Sequence, residues 1–145
     1  MSTDTERTSP TLTVSAVCFG NGAAQVLTVR KSGTTSFMLP GGKLEPGESP
    51  IEAAVREVLE EIGVAIRPHD LVELGTFTAA AANEADTMVC GHIFCAELTG
   101  EPEPAGEIAE LRWYDRSDTS PQLAPLLRDH IFPALIARDP VRPHD

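Results

Sequence analysis

The side chains best placed to do chemistry are three carboxylates in the run REVLEE, residues 56–61. At about 100° per residue, Glu57, Glu60 and Glu61 fall on one side of a helix. Like charges at these spacings repel, at about 0.2–0.5 kcal/mol per pair, so a bound cation would offset the repulsion. Mg²⁺ takes oxygen ligands and is usually bound by one or two carboxylates together with substrate phosphates. The run therefore predicts either a divalent-cation site or a solvated acidic face.

A glycine-rich loop comes directly before these carboxylates. Pro40-Gly41-Gly42 ends a short apolar strand, and Pro46-Gly47 adds a second turn signal. Glycines let the backbone approach an anion closely, which favours the cation site over the solvated face.

The helix that carries the carboxylates has strong end signals. Ser49 predicts an N-cap, Pro50 occupies the first helical position and Glu52 completes a capping box. Gly63 is a C-terminal stop, so we expect a helix over Pro50–Ile62. Spacing of i, i+3, i+4 and i+7 predicts the buried stripe. Its members are Val55, Val58, Leu59 and Ile62.

Residues 37–64 resemble the Nudix box, G-x5-E-x7-R-E-U-x-E-E-x-G-U, in which U is a bulky aliphatic residue. Every fixed position of the box is filled, in the strand–loop–helix context of that family. The positions are Gly42, Glu48, Arg56, Glu57, Val58, Glu60, Glu61, Gly63 and Val64. The resemblance implies an α/β fold, the α/β/α sandwich with a mixed β-sheet.

The same resemblance implies a Mg²⁺-dependent hydrolase that cleaves a diphosphate linkage, with Mn²⁺ as an alternative ion. The form GGK-x-E-x-GE and the short chain resemble the MutT-like enzymes, which implies a nucleoside triphosphate or modified nucleotide as substrate. Two alternatives stay open. The first is another nucleoside diphosphate derivative, such as a nucleotide sugar or a dinucleoside polyphosphate. The second is a domain that binds a nucleotide without cleaving it, although the intact REVLEE run argues against that.

Roles for individual residues also follow from the resemblance. Glu57 and Glu61 are implied metal ligands, Glu60 is a further ligand, and the Gly42 carbonyl adds an oxygen. Arg56 is implied to orient Glu57 by an ion pair.

The general base is predicted in one of two places. Glu57 on the helix is one candidate, and the family often has another acidic residue in the loop before the last strand. Glu107 and Glu110 lie there, and Glu107 is preferred because it follows the segment 104–106, which we expect to be flexible. The alternative for Glu107 is a solvated loop carboxylate.

Three residues are candidates for contact with the substrate. Lys43, directly after the glycines, is placed to reach a phosphate, and Arg30 at a strand end is a second candidate. Asn83, in a hairpin loop, is placed to touch a base or ribose. A solvated strand end for Arg30 and a plain turn for Asn83 are the alternatives. Phe37 stands where many relatives have tryptophan and is expected to pack rather than to stack on a base.

The rest of the chain predicts five strands and one more helix. The strands are 12–19, 25–30, 71–80, 88–98 and 111–114, and the helix is 121–137, capped by Ser120. The first two strands are expected to form a hairpin, and 88–98 is expected to be the best buried. A chain of 145 residues predicts one domain at 11–138, with a disordered lead-in at 1–10 and a polar tail at 139–145.

Charge and composition limit the partners. A formal net charge of −11 argues against a nucleic-acid polymer. It allows a small phosphorylated substrate, because cations on clustered carboxylates reverse the local field. The chain has no long apolar run and no apolar segment near its start, so we expect a cytoplasmic monomer or homodimer, not a membrane protein.

The three cysteines, Cys18, Cys90 and Cys95, lack metal-site spacing and are expected to be reduced. Cys90 and Cys95 are expected on opposite faces of one strand.

Overall fold

The computed structural model describes residues 10–138, and all statements about the fold refer to them. The strands are β1 Thr11–Phe19, β2 Gln25–Lys31, β3 Phe37–Met38, β4 Gly41–Lys43, β5 Val72–Ala80, β6 Met88–Ala96 and β7 Ile108–Asp115. The helices are α1 Pro50–Ile62 and α2 Phe132–Arg138, the latter preceded by a π-helical segment, Leu127–Ile131. The predicted tail and nearly all of the predicted lead-in lie outside the described residues. No helix in the described part is long and apolar enough to cross a membrane.

The strands form two sheets. The first has the order β4-β1-β6-β5, in which β1 runs parallel to β6 and antiparallel to β4, and β5 runs antiparallel to β6. The second has the order β3-β2-β7 and is antiparallel. The mixed first sheet confirms the predicted mixed topology.

Strand β1 is the centre of the sandwich. Side chains alternate along a strand, so Val17 and Phe19 pack in one core cluster with α1, and Ala16 and Cys18 pack in another with α2. One strand thereby supports a helix on each side of the sheet. This arrangement confirms the α/β/α sandwich.

The predicted hairpin of the first two strands is wrong. Both edges of β1 are already paired, one with β4 and the other with β6. The chain therefore crosses to the second sheet, and only an isolated bridge joins Gly20 to Val26.

The prediction that 88–98 is the best-buried strand is also wrong, since the last five residues of β1 are all buried.

The last helix begins later than predicted. Residues 121–124 are held instead by β3, because Phe37 N donates to the Gln122 carbonyl at 2.8 Å and Ala124 N donates to the Phe37 carbonyl at 2.9 Å. Helical structure then starts at Pro125, a residue favoured at the first helical position. The last strand is longer than predicted and starts directly after Glu107.

Helix α1 has the predicted bounds and the predicted ends. Glu52 N donates to Ser49 Oγ at 3.1 Å, Ser49 N donates to Glu52 Oε1 at 2.8 Å, and Gly63 closes the helix with a left-handed φ of 70°. These contacts satisfy backbone groups that every helix end leaves unpaired.

The buried face of α1 differs from the predicted stripe. Val58 and Ile62 are fully buried, but Leu59 is 54% exposed and Val55 is only half-buried. Glu61 is 8% exposed and takes a place in the buried face. The helix packs against β4 as well as β1, and Glu61 turns inward to contact Gly41 of β4, although the apolar pattern had placed Glu61 on the side opposite the core.

This burial pattern predicts opposite results for two truncations on α1. Ile62→Ala should lower the free energy of unfolding by about 2–5 kcal/mol, because it leaves a cavity in the core. Leu59→Ala, the matched control, should change it by less than about 0.5 kcal/mol. Urea unfolding of the two variants measures both values. Equal losses would show that Leu59 is a core residue.

Candidate active site

The glycine loop, residues 40–47, is held against β1, because Gly41–Lys43 within it form strand β4. Val17 N donates to the Pro40 carbonyl at 3.0 Å, and Gly41 is in register with Ala16. A Cβ added at Gly41 would overlap the backbone of Ser15 and Ala16. Only glycine fits here, so this position is set by the sheet.

Gly42 is restricted by a different neighbour, the carboxylate of Glu57. A Cβ on Gly42 would lie 2.8 Å from Glu57 Oε1 and closer still to its other carboxyl atoms. The first carboxylate of the helix thus rests directly on the loop. The fold thereby brings together two of the implied metal ligands, Gly42 and Glu57.

Glu61 is the buried carboxylate of the site. Its Oε1 accepts from Gly41 N at 3.0 Å. Burial raises the pKa of Glu61 to about 7; the Gly41 hydrogen bond opposes this shift, the charge of Glu57 adds to it, and Lys31 and Glu107 act as weaker opposing and reinforcing charges. Burial is thus the main reason that the ionised form of Glu61 is disfavoured, and a cation bound beside it would favour the carboxylate.

Arg56 joins the loop to the helix through its guanidinium. Its Nε and Nη2 donate to the two oxygens of Glu48 at 2.7 and 2.8 Å, a bidentate pair. Its Nη1 donates to Glu57 Oε2 at 2.8 Å, and Nη2 also donates to the Lys43 carbonyl at 3.0 Å. The implied ion pair with Glu57 is present in the structure. The hydrogen bonds from Arg56 also lower the pKa of Glu48 to about 2.

Glu60 is the most exposed of the three helix carboxylates, at 58% of its side chain. It contacts Arg56 only at 3.5 Å. Its side chain is therefore much less constrained than those of Glu57 and Glu61.

The loop before β7 is fixed, which contradicts the expected flexibility of 104–106. Glu103 N donates to the Ile62 carbonyl at 3.1 Å and Ala105 N donates to the Glu61 carbonyl at 2.9 Å. These bonds satisfy carbonyls at the C-terminal end of α1 that have no partner within the helix. They hold Glu107, which is exposed, near enough for its charge to act on Glu61.

Lys31 is a site residue that the sequence did not indicate. It is the last residue of β2, and its positive charge lowers the pKa of Glu61, against the effect of burial. The sequence showed only a lysine at the end of a strand, and such lysines are common on protein surfaces. Only the packing of the two sheets places it by the carboxylates.

A cleft of about 350 Å³ opens beside the glycine loop. Lys31, Lys43, Asn83 and Glu84 contribute polar groups to its lining, among mostly apolar neighbours. The predicted contacts Lys43 and Asn83 are therefore brought to one cleft, although they are distant in sequence.

Arg30, the other predicted contact, has different neighbours. Its Nε pairs with Glu110 at 3.1 Å and its Nη1 donates to the Thr34 carbonyl at 2.8 Å. Arg30 is not among the residues that line the cleft.

Phe37 is buried and packs edge-on against Tyr114, with 5.5 Å between the ring centroids. This confirms the prediction that Phe37 packs in the protein rather than stacks on a base.

The donor set fits a hard divalent cation. Its groups are carboxylate and carbonyl oxygens in an excess of negative charge, the ligands that Mg²⁺ and Mn²⁺ favour. Within residues 10–138 no three acidic, His or Cys side chains already stand together as a metal cluster. Mg²⁺ does not require one, because it is usually held by one or two carboxylates with substrate phosphates and water. Glu57 and Glu61, with the Gly42 carbonyl, are the groups that would hold it, and Glu60 stays a predicted further ligand.

Comparisons with known proteins identify the family of this chain. The family model of the NUDIX domain matches residues 9–135. A protein described as a putative 8-oxo-dGTP diphosphatase, from Bacillus subtilis, is 34% identical over 95 residues, which cover 64% of this chain and 59% of that protein. The chain thus spans less than two thirds of that relative. A MutT-like protein from Streptomyces ambofaciens is 29% identical over 149 aligned positions, covering 100% of this chain and 92% of that protein.

The fold also matches solved structures. The crystal structure of a MutT protein from Methanosarcina mazei has a TM-score of 0.74 and 21% sequence identity, covering 91% of this chain and 97% of that one. At this identity the likeness concerns the fold alone.

The two glycines predict two separable defects. Gly41→Ala should lower the free energy of unfolding by about 1–3 kcal/mol or more, because the methyl group meets backbone that cannot move away. Gly42→Ala should cost less stability than this, because its methyl group meets the end of a side chain and not backbone, but by displacing Glu57 from Arg56 it should weaken Mn²⁺ binding by about tenfold or more. Urea unfolding and electron paramagnetic resonance of bound Mn²⁺ measure the two effects.

Gly100→Ala is the matched control, because its added Cβ meets open space. It should alter neither quantity. Normal Mn²⁺ affinity in Gly42→Ala would show that the contact with Glu57 does not position a metal ligand.

Proposed function

Because the chain belongs to the NUDIX family, we propose that it is a Mg²⁺-dependent hydrolase of a nucleoside triphosphate or a modified nucleotide, cleaving a diphosphate linkage. The observation that carries the proposal is the pair Glu57 and Glu61 on the glycine loop, with Arg56 bonded to Glu57 and to the loop. The name of the Bacillus relative, a putative 8-oxo-dGTP diphosphatase, supports an oxidised purine triphosphate as the first substrate to test.

A divalent ion bound here would stabilise charge on the phosphoryl oxygens and lower the pKa of the attacking water. The task of the protein is then mainly positioning, because little covalent chemistry is required of it. Arg56 holds one oxygen of Glu57, and Gly41 holds one oxygen of Glu61. Each carboxylate therefore presents a limited set of orientations.

The cleft is proposed to hold the nucleoside. Its mostly apolar lining suits a base, and Asn83 supplies an amide that can pair with a base edge or a ribose hydroxyl. Lys31 and Lys43 lie on the side of the glycine loop and are proposed to contact the phosphates. Arg30 stays a prediction without support from its surroundings.

Glu107 is proposed as the general base. Glu57 is engaged by Arg56 and Glu61 by Gly41, whereas Glu107 approaches the site from another chain segment. It is exposed, so water reaches it. The anchored loop fixes the position of its backbone, which is the geometry that proton transfer to a positioned group needs.

The proposal is tested with a panel of substrates and metal conditions. The purified protein is incubated with 8-oxo-dGTP, dGTP, a nucleotide sugar and a dinucleoside polyphosphate, and release of phosphate and pyrophosphate is measured. We expect hydrolysis of a triphosphate with Mg²⁺ or Mn²⁺, no hydrolysis with excess chelator, and recovery when Mg²⁺ is restored. Glu57→Gln should abolish turnover in the same assay.

Other outcomes of the panel separate the alternatives. Selective cleavage of the nucleotide sugar or the dinucleoside compound would reassign the substrate. Nucleotide binding without any hydrolysis would contradict an enzyme and favour a binding domain. Equal rates with and without chelator would remove the metal from the proposal.

Two neighbouring glutamates test the general base. Glu107→Gln should lower kcat by roughly 10²–10⁴-fold with little change in KM. Glu110→Gln, three positions further along the chain in β7, is the matched control; it should have a much smaller effect, because Glu110 pairs with Arg30 and Arg112. A silent Glu107→Gln would return the role to Glu57, and a strong effect of Glu110→Gln alone would move it to Glu110.

A further inference from the structure

A second cavity, of about 1170 Å³, lies away from the carboxylates and the glycine loop. It is bordered by the turn between β1 and β2, the start of β5 and the end of α2. Cys18 and Cys95 both line it, as does Arg138. None of the residues assigned to the active site above lines this cavity, so it is separate from the proposed hydrolytic site.

The two cysteines are direct neighbours across two strands. Cys18 of β1 and Cys95 of β6 are register partners in a parallel pair. Partners in register lie on the same face of a sheet. Neighbouring strands are about 4.7–4.9 Å apart, which is within the roughly 4.4–6.8 Å between Cα atoms that a disulfide tolerates. A bond between these sulfurs needs no rearrangement of the sheet.

Arg138 contributes to a difference in pKa between the two thiols. Its Nη1 donates to Cys95 Sγ at 3.3 Å. A hydrogen bond from Cys18, followed by the charge of Arg138, lowers the pKa of Cys95 to about 6. The pKa of the Cys18 thiol is raised well above its ordinary value, because its proton is shared with Cys95 and because it is buried. The guanidinium of Arg138 therefore favours the thiolate form on Cys95 rather than on Cys18.

The two cysteines also differ in their exposure to solvent. Cys18 is 4% exposed and belongs to the core beneath α2, whereas Cys95 is only half-buried. A small reagent that enters the cavity meets Cys95 first. Low pKa, partial exposure and a neighbouring thiol are the properties of oxidation-sensitive cysteines.

We propose that Cys95 is a site of oxidation by hydroperoxides and that Cys18 is its resolving partner, so that oxidation ends in a Cys18–Cys95 disulfide. The Cys95 thiolate attacks one peroxide oxygen, the O–O bond breaks and an S–O bond forms. The departing oxygen takes up a proton and leaves as water or an alcohol. The product on Cys95 is a sulfenic acid.

Resolution consumes the second thiol. The Cys18 sulfur attacks the Cys95 sulfur, an S–S bond forms and the S–O bond breaks. The hydroxide leaves as water with the proton from Cys18. In total two thiols are oxidised by two electrons to one disulfide, and the hydroperoxide is reduced.

Cys90 provides the internal control. It is on β6 as well, but five positions before Cys95 and hence on the opposite face, as the sequence predicted. Its register partners are Thr13 and Thr78, so no cysteine faces it across the strands. Cys90→Ser should therefore leave the oxidation unchanged.

The experiment uses the full chain in the Cys90→Ser background, because Cys90 and Cys95 share one tryptic peptide. The protein is treated with hydrogen peroxide, free thiols are blocked, and peptides are identified by mass spectrometry with and without reduction. We expect a disulfide-linked pair of peptides containing Cys18 and Cys95. Cys18→Ser or Cys18→Ala should stop at a sulfenic acid on Cys95 that dimedone traps, and Cys95→Ser should show no oxidation at Cys18.

Arg138→Gln tests the electrostatic part of the proposal. It should slow alkylation of Cys95 by iodoacetamide at neutral pH at least several-fold, and Arg138→Lys should restore part of the rate. In the wild-type chain, Cys95 should be alkylated at least several-fold faster than Cys90. Equal rates at the two cysteines, or sulfenic acid that accumulates on Cys95 while Cys18 is present, would overturn the proposal.

Discussion

The ion-pair network of Arg56 is the interaction on which the geometry of the site depends. One planar guanidinium binds both oxygens of Glu48, one oxygen of Glu57 and the Lys43 carbonyl. It thereby joins the loop before the helix, the helix itself and strand β4. A lysine could not make this set of contacts, because its ammonium lacks the flat fork that pairs with a carboxylate through two parallel bonds. The network fixes the angle at which Glu57 meets the loop.

The second constraint is the close contact between the glycine loop and its neighbours. Gly41 lies against the backbone of β1, while Gly42 lies against the carboxylate of Glu57. The sheet therefore sets the loop, and the loop in turn sets the carboxylate. Burial of Glu61 in this contact raises its pKa to about 7, so the fold keeps a group whose ionisation it disfavours. Such a cost is expected at a functional site, where local rules are broken and other parts of the fold compensate.

Local signals in the sequence were enough for helix α1 and for the composition of the site. A capping box, a proline at the first position and a glycine at the end act over a few residues, so they determined the helix bounds without knowledge of the rest of the chain. The spacing of the Nudix box determined which carboxylates and which arginine belong together. The turn signal at residues 83–86 also predicted the hairpin that β5 and β6 form.

Only the tertiary structure decided which face each element buries and which distant residues meet. The periodicity of α1 predicted Leu59 in the core and Glu61 on the side opposite the core, but in the structure Leu59 is exposed and Glu61 is buried. The same holds for Lys31, which reaches the carboxylates through sheet packing, and for Cys18 and Cys95, which meet because β1 pairs with β6. The periodicity of a helix shows that one of its sides is apolar. Which way that side faces depends on the surfaces against which the helix packs. Strand pairing depends on which edges are still free, and this is a property of the whole chain.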